Sequence, residues 1–171
     1  MITFRNLKEK DYELLHRWIK TNPYVKKWYY LGRQPRLKTL ENKIKKRIAD
    51  KEKWCIKIAQ IDGVDFGYIQ AYPVDGNGNW TRQVKVYDYT VSLDYFIGNI
   101  DYIHKGYGSL MINSFIDEFL KEKYDYAMIS PDPINRASIR TCEKCGFNYI
   151  KTVNTPNKNS TNIEAVYIKK L

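Results

Sequence analysis

The sequence is poor in the residues that cross-link a protein, anchor it in a membrane or hold a metal. Its 171 residues include only three cysteines and two histidines, and three thiols cannot all pair within one chain. No stretch approaches the roughly 18 consecutive apolar residues of a membrane span. No long apolar run follows Met1, so we expect no signal peptide. These shortages favour a reduced, cytoplasmic protein without a membrane partner.

A metal site is not expected either. Cys142 and Cys145 form a C-x-x-C pair, but no second cysteine or histidine pair lies near them in the sequence. Both cysteines fall inside a predicted helix. We therefore interpret them as two plain thiols.

Acidic residues are scarce relative to basic ones. The chain has 29 Lys and Arg against 19 Asp and Glu, a formal charge of +10, which favours an anionic partner. Many of the basic residues fall between positions 38 and 53, where the pattern predicts a helix with a solvated face. Few aromatic residues lie among these basic residues, so we expect no nucleic-acid partner. Only the positive charge would support the interpretation as a nucleic-acid-binding protein.

The apolar pattern predicts a single α+β domain over residues 1–171. Alternating or continuous apolar runs predict strands at 2–7, 54–61, 66–72, 83–97, 126–130, 147–154 and 165–170. Helical spacing predicts helices at 9–20, 39–50, 110–120 and 134–144, with residues 24–36 as an aromatic connection and polar loops at 75–80 and 155–162. This order predicts a mostly antiparallel central sheet with helices on both faces.

Residues 103–109, I-H-K-G-Y-G-S, lie between a predicted strand and a predicted helix. Helix N-termini carry unpaired N–H groups and bind phosphates, and glycines let the backbone approach an anion closely. The spacing differs from a Walker loop, and the third glycine of a dinucleotide fingerprint is missing. Simple turn chemistry is the other interpretation of this segment taken alone.

A second motif follows at residues 135–147, N-R-A-S-I-R-T-C-E-K-C-G-F. Together the two motifs resemble the GNAT superfamily of acetyl-CoA-dependent N-acetyltransferases. The segments 67–72, 93–98 and 155–167, with the aromatic cluster at 28–30, resemble the aminoglycoside 6′-N-acetyltransferases in particular. Related siderophore-type acetyltransferases share some of these segments.

The resemblance implies a GNAT fold, with the sheet splayed at a bulged strand, and acetyl-CoA as the cofactor, released as coenzyme A. It implies that backbone groups of 105–109 hold the pyrophosphate, that strand 91–97 pairs with pantetheine, and that Asn135 bonds the pantetheine arm. Ile103 stands where Gln or Arg usually opens the motif, and His104 and Lys105 would compensate. The implied cofactor-binding residues are Tyr95, Phe96, Ile97, His104, Lys105, Gly106, Tyr107, Gly108, Ser109, Asn135 and Lys144.

Asp94 and Cys142 are the implied catalytic residues. A carboxylate in an apolar strand is costly unless it meets a cation, and the resemblance makes Asp94 the group that receives the amine, as a base or as an anchor. Cys142 stands where a tyrosine usually meets the departing thiolate, so Cys142, water or no acid at all remain open. The implied substrate-binding residues are Trp28, Tyr29, Gln70, Tyr72, Asp75, Trp80, Asp94, Asp132 and Glu164.

The expected partner is a small-molecule amine, with an aminoglycoside as the first candidate. We expect the protein to be a monomer or a homodimer. The alternatives are an acetyltransferase for a polyamine, a siderophore precursor or a protein N-terminus, and a domain that binds acetyl-CoA without turnover.

Overall fold

A computed structural model describes residues 1–74, 81–84, 86–157 and 160–171. Two predicted substrate-binding residues, Asp75 and Trp80, lie outside these ranges. The chain divides into two compact units: residues 1–71 with 94–115, and residues 72–93 with 116–171.

The strands form a seven-stranded sheet in the order β1-β2-β3-β4-β5-β7-β6. The β1–β2, β2–β3, β5–β7 and β6–β7 pairs are antiparallel, and the β4–β5 pair is parallel over Thr90–Ser92. The predicted mostly antiparallel α+β fold is therefore confirmed. The strand bounds are β1 Ile2–Asn6, β2 Cys55–Ile61, β3 Val64–Pro73, β4 Thr90–Ile97, β5 Tyr126–Ile129, β6 Asn148–Asn157 and β7 Ser160–Lys170.

The four predicted helices are present with shifted ends. They are α1 Asp11–Thr21, α2 Leu37–Ala49, α3 Tyr107–Phe119 and α4 Arg136–Lys144. The α3 helix begins inside the glycine motif, three residues before the predicted start. The aromatic connection contains a short π-helical turn over Val25–Tyr29, which the sequence pattern did not indicate.

In the first unit, helices cover both faces of the strands. The apolar stripes of α1 and α2 pack on one face, in a cluster that includes Trp18, Ile44 and Ile58. On the other face, the Phe115 ring of α3 contacts Phe4 of β1 at 5.7 Å between centroids. The second unit has its own smaller cluster around Val84, Met128, Val153, Val166 and Ile168.

A bulge in β3 fixes the end of β4. Ala59 pairs with Gly67 and Gln60 pairs with Asp65, which leaves Phe66 as the extra residue. The carbonyl oxygen of Phe66 accepts hydrogen bonds from the N–H groups of Gly98 at 2.8 Å and Asn99 at 3.0 Å. The bulge therefore holds the chain where it leaves β4 for the glycine motif. A bulge within β4 itself stays a prediction.

The predicted strand 83–97 is wrong in its first half. Residues Thr81–Gln83 form a 3₁₀ turn, and Tyr89 has a φ of 54°, so the extended strand starts only at Thr90. Val84 and Val86 alternate with polar residues as in a strand, but their backbone is not extended in a strand. Both are apolar because they pack on the second unit's cluster.

The predicted polar loop 155–162 is too long. The strand β6 runs to Asn157, and β7 starts at Ser160, so the backbone pairing continues through most of that segment. Polar residues misled the prediction because the backbone hydrogen bonds of a hairpin do not depend on apolar side chains.

Candidate functional site

Asp94 and Gln70 meet across the neighbouring strands β4 and β3. The Gln70 Nε2 donates a hydrogen bond of 2.5 Å to Oδ2 of Asp94. Gln70 is fully buried, while Asp94 is partly buried. A carboxylate inside an apolar strand thus meets a polar partner at the position where the sequence predicted an amine-receiving group.

Arg47 reaches the same amide from α2. Its Nη1 donates to Oε1 of Gln70 at 2.5 Å, and to the hydroxyl oxygen of Tyr68 at 3.3 Å. The Tyr68 hydroxyl also donates to Gln70 Oε1 at 2.6 Å. The result is a continuous hydrogen-bonded line from the Arg47 guanidinium through the Gln70 amide to the Asp94 carboxylate, which we call the Arg47–Gln70–Asp94 line.

Aromatic rings line this cluster. The Tyr68 ring stacks on Phe96 at 5.1 Å between centroids, and Tyr29 meets Phe96 edge-on at 4.8 Å. Burial raises the pKa of Tyr29 well above its usual value, with smaller contributions from Tyr68 and Asp94, and burial raises the pKa of Tyr30 to about 12. These phenols therefore stay protonated at neutral pH, so the aromatic side chains around the cluster are uncharged.

Lys43 lies one helical turn before Arg47 on α2. Burial, with a smaller contribution from the Arg47 charge, lowers the pKa of Lys43 to about 8, while Asp94 opposes the shift. Its ammonium group lies 6.0 Å from the centroid of the Tyr29 ring and 5.7 Å from that of Tyr30. The surroundings of Asp94 thus contain two cationic side chains.

The glycine motif forms a loop that leads into α3. His104 and Gly106 both have positive φ values, 60° and 86°. The N–H of Leu110 donates to the Gly106 carbonyl. The N–H groups of Tyr107 and Gly108 come before this hydrogen bond in the helix, so no carbonyl of the same helix can accept from them. A Cβ at Gly106 would meet no atom within 4 Å. The loop is open, and its geometry suits a phosphate.

His104 is oriented by Tyr24. The His104 Nε2 lies 3.4 Å from the Tyr24 hydroxyl, and the two rings meet edge-on at 5.4 Å. Tyr24 follows α1 by three residues, so the connection after α1 supports the side of the loop that the sequence predicted to bind an anion.

Asn22 joins the end of α1 to the end of β4, and apart from the proline that follows it nothing in the sequence pattern points to this role. This fully buried side chain donates through Nδ2 to the carbonyl oxygens of Ile97 at 2.9 Å and Gly98 at 3.1 Å. Its Oδ1 accepts from the N–H of Tyr24 at 3.0 Å. Ile97 is one of the predicted cofactor-binding residues, and its carbonyl oxygen is therefore already bonded to Asn22.

The second unit holds the other motif. Asn135 caps α4, accepting from the N–H of Ser138 at 3.2 Å, and the Asp132 carboxylate accepts from the N–H of Ile134 at 2.9 Å. Both predicted ligand-binding side chains thus shape the turn that starts α4. Gly146, with a φ of 82°, ends the helix in a Schellman arrangement.

Cys142 is fully buried on α4, and Lys144 is exposed in the last turn of the same helix. Burial leaves the thiol no direct contact with solvent, which favours a packing role. Tyr72 and Glu164 are partly exposed residues of the second unit.

Four predicted site residues come together in the first unit: Asp94, Gln70, Tyr29 and Phe96. Trp28 is partly exposed beside the Lys27 ammonium, which lies 4.3 Å from its ring centroid. Phe96 is buried in the core, so its predicted cofactor role can involve only its main chain, whereas Tyr95 is partly exposed. The roles of these residues stay predictions.

Arg47 and Lys43 were missed because the lysine-rich helix was interpreted as a solvated face, and Tyr68 lies in the segment 67–72, to which only Gln70 and Tyr72 were assigned a role. A signal was available in its periodicity. Leu40, Ile44 and Arg47 recur at helical spacing, and the first two are fully buried. The buried stripe of α2 therefore includes the only arginine within the helix.

In the part of the chain that the structure describes, no helix is long and apolar enough to cross a membrane. No group of three or more His, Cys, Asp or Glu side chains suited to a metal ion occurs among the same residues.

Comparison with known proteins gives consistent relatives. A family model described as an acetyltransferase (GNAT) domain matches residues 8–155. Aminoglycoside N(6')-acetyltransferase type 1 of Klebsiella pneumoniae and that of Serratia marcescens are each 24% identical over 156 residues, which is 91% of this chain and 78% of theirs.

Among solved structures, aminoglycoside acetyltransferase AAC(6')-Ib in complex with coenzyme A matches with a TM-score of 0.84 and 23% identity, over 99% of this chain and 95% of that one. The microcin C7 self-immunity acetyltransferase MccE, in complex with acetyl-CoA and AMP, matches with a TM-score of 0.75 and 18% identity, over 99% and 92%. At these identities the likeness shows the fold.

Proposed function

The chain belongs to the GNAT acetyltransferase family, and from that premise we propose that it transfers the acetyl group of acetyl-CoA to a primary amine by direct transfer. The acceptor proposed first is the 6′-amine of an aminoglycoside. The observation that carries the proposal is the partly buried Asp94 carboxylate, held by Gln70 among aromatic side chains.

Acetyl-CoA fits the glycine motif by the chemistry of its phosphates. The N–H groups of Tyr107 and Gly108 at the start of α3 carry partial positive charge, the positive φ of Gly106 turns the chain there, and the open space beside Gly106 admits a close anion. Lys105 and His104 add donors. When bound, acetyl-CoA supplies an acyl group already activated as a thioester.

Asp94 would receive the acceptor as its ammonium ion. Its carboxylate attracts the cation, and the neutral phenols of Tyr29 and Tyr68 exclude water around it. The amine must lose a proton before it attacks, and Asp94 takes that proton directly or passes it to water. The Gln70 amide keeps the carboxylate in place while the proton leaves.

The aminoglycoside assignment is supported by relatives across most of the chain. The curated relatives are named for the 6′-amine, and AAC(6')-Ib has been solved with kanamycin and with ribostamycin. We propose accordingly that the protein inactivates such antibiotics, acts in the cytoplasm, and works as a monomer or homodimer.

A second acceptor class is favoured by the charges around Asp94. Lys43 and Arg47 place two cationic side chains in the same cluster, and like charges repel the additional ammonium groups of an aminoglycoside. An amine with few other positive charges suits this surrounding better.

Thiol release from acetyl-CoA distinguishes these candidates. The wild-type protein is assayed with kanamycin, tobramycin and neomycin, with analogues carrying a 6′-hydroxyl, and with spermidine and a peptide amine. Turnover only on compounds that bear a 6′-amine supports the aminoglycoside assignment. Turnover on the peptide amine alone moves the acceptor to the second class, and turnover on spermidine alone assigns a polyamine acceptor instead. Coenzyme A binding without any turnover contradicts the enzyme proposal.

A further inference from the structure

The Gln70 side-chain amide has a fixed orientation. Its oxygen accepts from Arg47 and Tyr68, and its nitrogen donates to Asp94. In the reversed orientation the NH₂ group would face donors and the carbonyl oxygen would face a carboxylate oxygen. The hydrogen-bond network therefore permits only one orientation of this buried amide.

Arg47 enforces that orientation. The Tyr68 hydroxyl can rotate and either donate or accept, so it would tolerate a reversed amide. A guanidinium can only donate, so it requires the Gln70 oxygen on its side and leaves the NH₂ group for Asp94. The donor-only guanidinium and the acceptor-only Asp94 carboxylate thus hold the Gln70 amide from its two ends, and Arg47 acts on Asp94 across two hydrogen bonds.

Arg47 is itself held in place. Its guanidinium lies 4.4 Å from the centroid of the Trp54 ring, and it makes its second hydrogen bond to Tyr68. Ile44, one turn earlier on α2, is buried in the core cluster. A long side chain that is packed, stacked and bonded in this way loses little further freedom when it orients a neighbour.

We propose that Arg47 is a positioning residue for acetyl transfer: through the Gln70 amide it holds the Asp94 carboxylate in the orientation that receives the acceptor amine. The proposal rests on the proposed function, in which Asp94 receives that amine. The guanidinium also places a positive charge one amide away from Asp94, which favours the ionised carboxylate that an ammonium ion needs.

Three variants test the role of Arg47. Arg47→Met removes the donor and the charge but keeps much of the packing, and Arg47→Lys keeps the charge without the planar fork. Lys46→Met is the matched control, since Lys46 is an exposed neighbour on the same helix. For each, kcat and KM for the amine are measured across the acidic and neutral range, with coenzyme A affinity and Tm.

Arg47→Met should lower kcat/KM for the amine by about tenfold to a hundredfold, the scale expected when a reacting group loses its held position. The acidic limb of its pH profile should move to higher pH, because the carboxylate has lost a nearby cation. Arg47→Lys should recover part of the loss, and the affinity for coenzyme A should not change. If Tm falls but kcat/KM and the pH profile stay at wild-type values, Arg47 is structural and the proposal is overturned.

A second readout does not need turnover. In the wild-type protein, the NMR signals of the Gln70 side-chain amide should respond when Asp94 is titrated, and this response should keep its size in Lys46→Met and weaken in Arg47→Met, where the oxygen end of the amide has lost its guanidinium partner. A response of wild-type size in Arg47→Met overturns the positioning role. If the wild-type protein turns over no amine, the proposed function fails while this spectrum still decides whether Arg47 orients Gln70.

Discussion

At the scale of single residues, the informative side chains are polar groups placed where apolar ones are expected. Gln70 and Asn22 are fully buried and yet use both ends of their amides. Among the described residues, no buried side-chain nitrogen or oxygen lacks a hydrogen-bond partner. Burying an amide without partners is costly. The hydrogen-bond partners placed around these two side chains, rather than their hydrophobicity, therefore make their burial possible.

Lys43 should make the stability of the protein depend on pH. Its pKa is about 8 in the folded protein and 10.5 in the unfolded chain, so below about pH 8 the folded state bears the full cost of burying the charge. Lys43→Met should therefore be more stable than wild type at neutral pH by on the order of 1 kcal/mol.

That advantage should shrink as pH rises from about 8 toward 10, where the folded wild-type protein has already released the proton. Urea denaturation at several pH values measures it, with Lys46→Met as the exposed control. A Lys43→Met advantage that is the same at every pH would show that Lys43 is not desolvated.

Cys142→Ala should keep most of its turnover while losing stability. The thiol is fully buried, so we expect water or unassisted departure of the thiolate, and removal of a buried sulfur destabilises by about 1–2 kcal/mol. Steady-state kcat and Tm of the variant measure both effects. Loss of turnover with unchanged coenzyme A affinity would instead assign the acid role to Cys142.

At the scale of elements, the sequence predicts well where periodicity and turn chemistry agree. The strands predicted over 54–61 and 66–72 are present as β2 and β3, joined by a turn at Asp62-Gly63, and α4 ends at the predicted residue 144, just before Gly146. The strand over 83–97 was overextended because Val84 and Val86 alternate for tertiary reasons. The inner stripe of α2 was missed because its lysines dominate the composition, although its apolar spacing was visible.

Gly106→Ala should weaken coenzyme A binding by about tenfold, or about 1.4 kcal/mol. The position has a φ of +86° in open space, so alanine adds backbone strain and a methyl group where the phosphate would approach. Gly63→Ala is the matched control, since Gly63 has a φ of +78° and is equally open. Both should lose similar stability in a denaturation experiment, but only Gly106→Ala should lose affinity in calorimetry. Equal affinities would remove the loop from the cofactor site.

At the scale of the whole molecule, charge and composition set the class of protein but not its acceptor. The charge of +10 suits an anionic cofactor, yet the candidate site depends on one partly buried carboxylate beside two cations. These side chains meet because β3 pairs with β4 and because α2 packs on the sheet. Positions 47, 70 and 94 are far apart along the chain, so a single sequence does not reveal that they are neighbours. The family resemblance indicated Asp94 and Gln70, whereas the hydrogen bond from Arg47 to Gln70 required the structure.

The most direct test of the account compares wild type with Asp94→Asn, a change that removes the charge and keeps the shape. We measure coenzyme A affinity by calorimetry and acetyl transfer by thiol release with the best amine acceptor. The account predicts unchanged affinity and a loss of turnover on the order of 100-fold or more, the scale of general acid–base catalysis. Turnover close to wild type would contradict the central claim that Asp94 receives the amine.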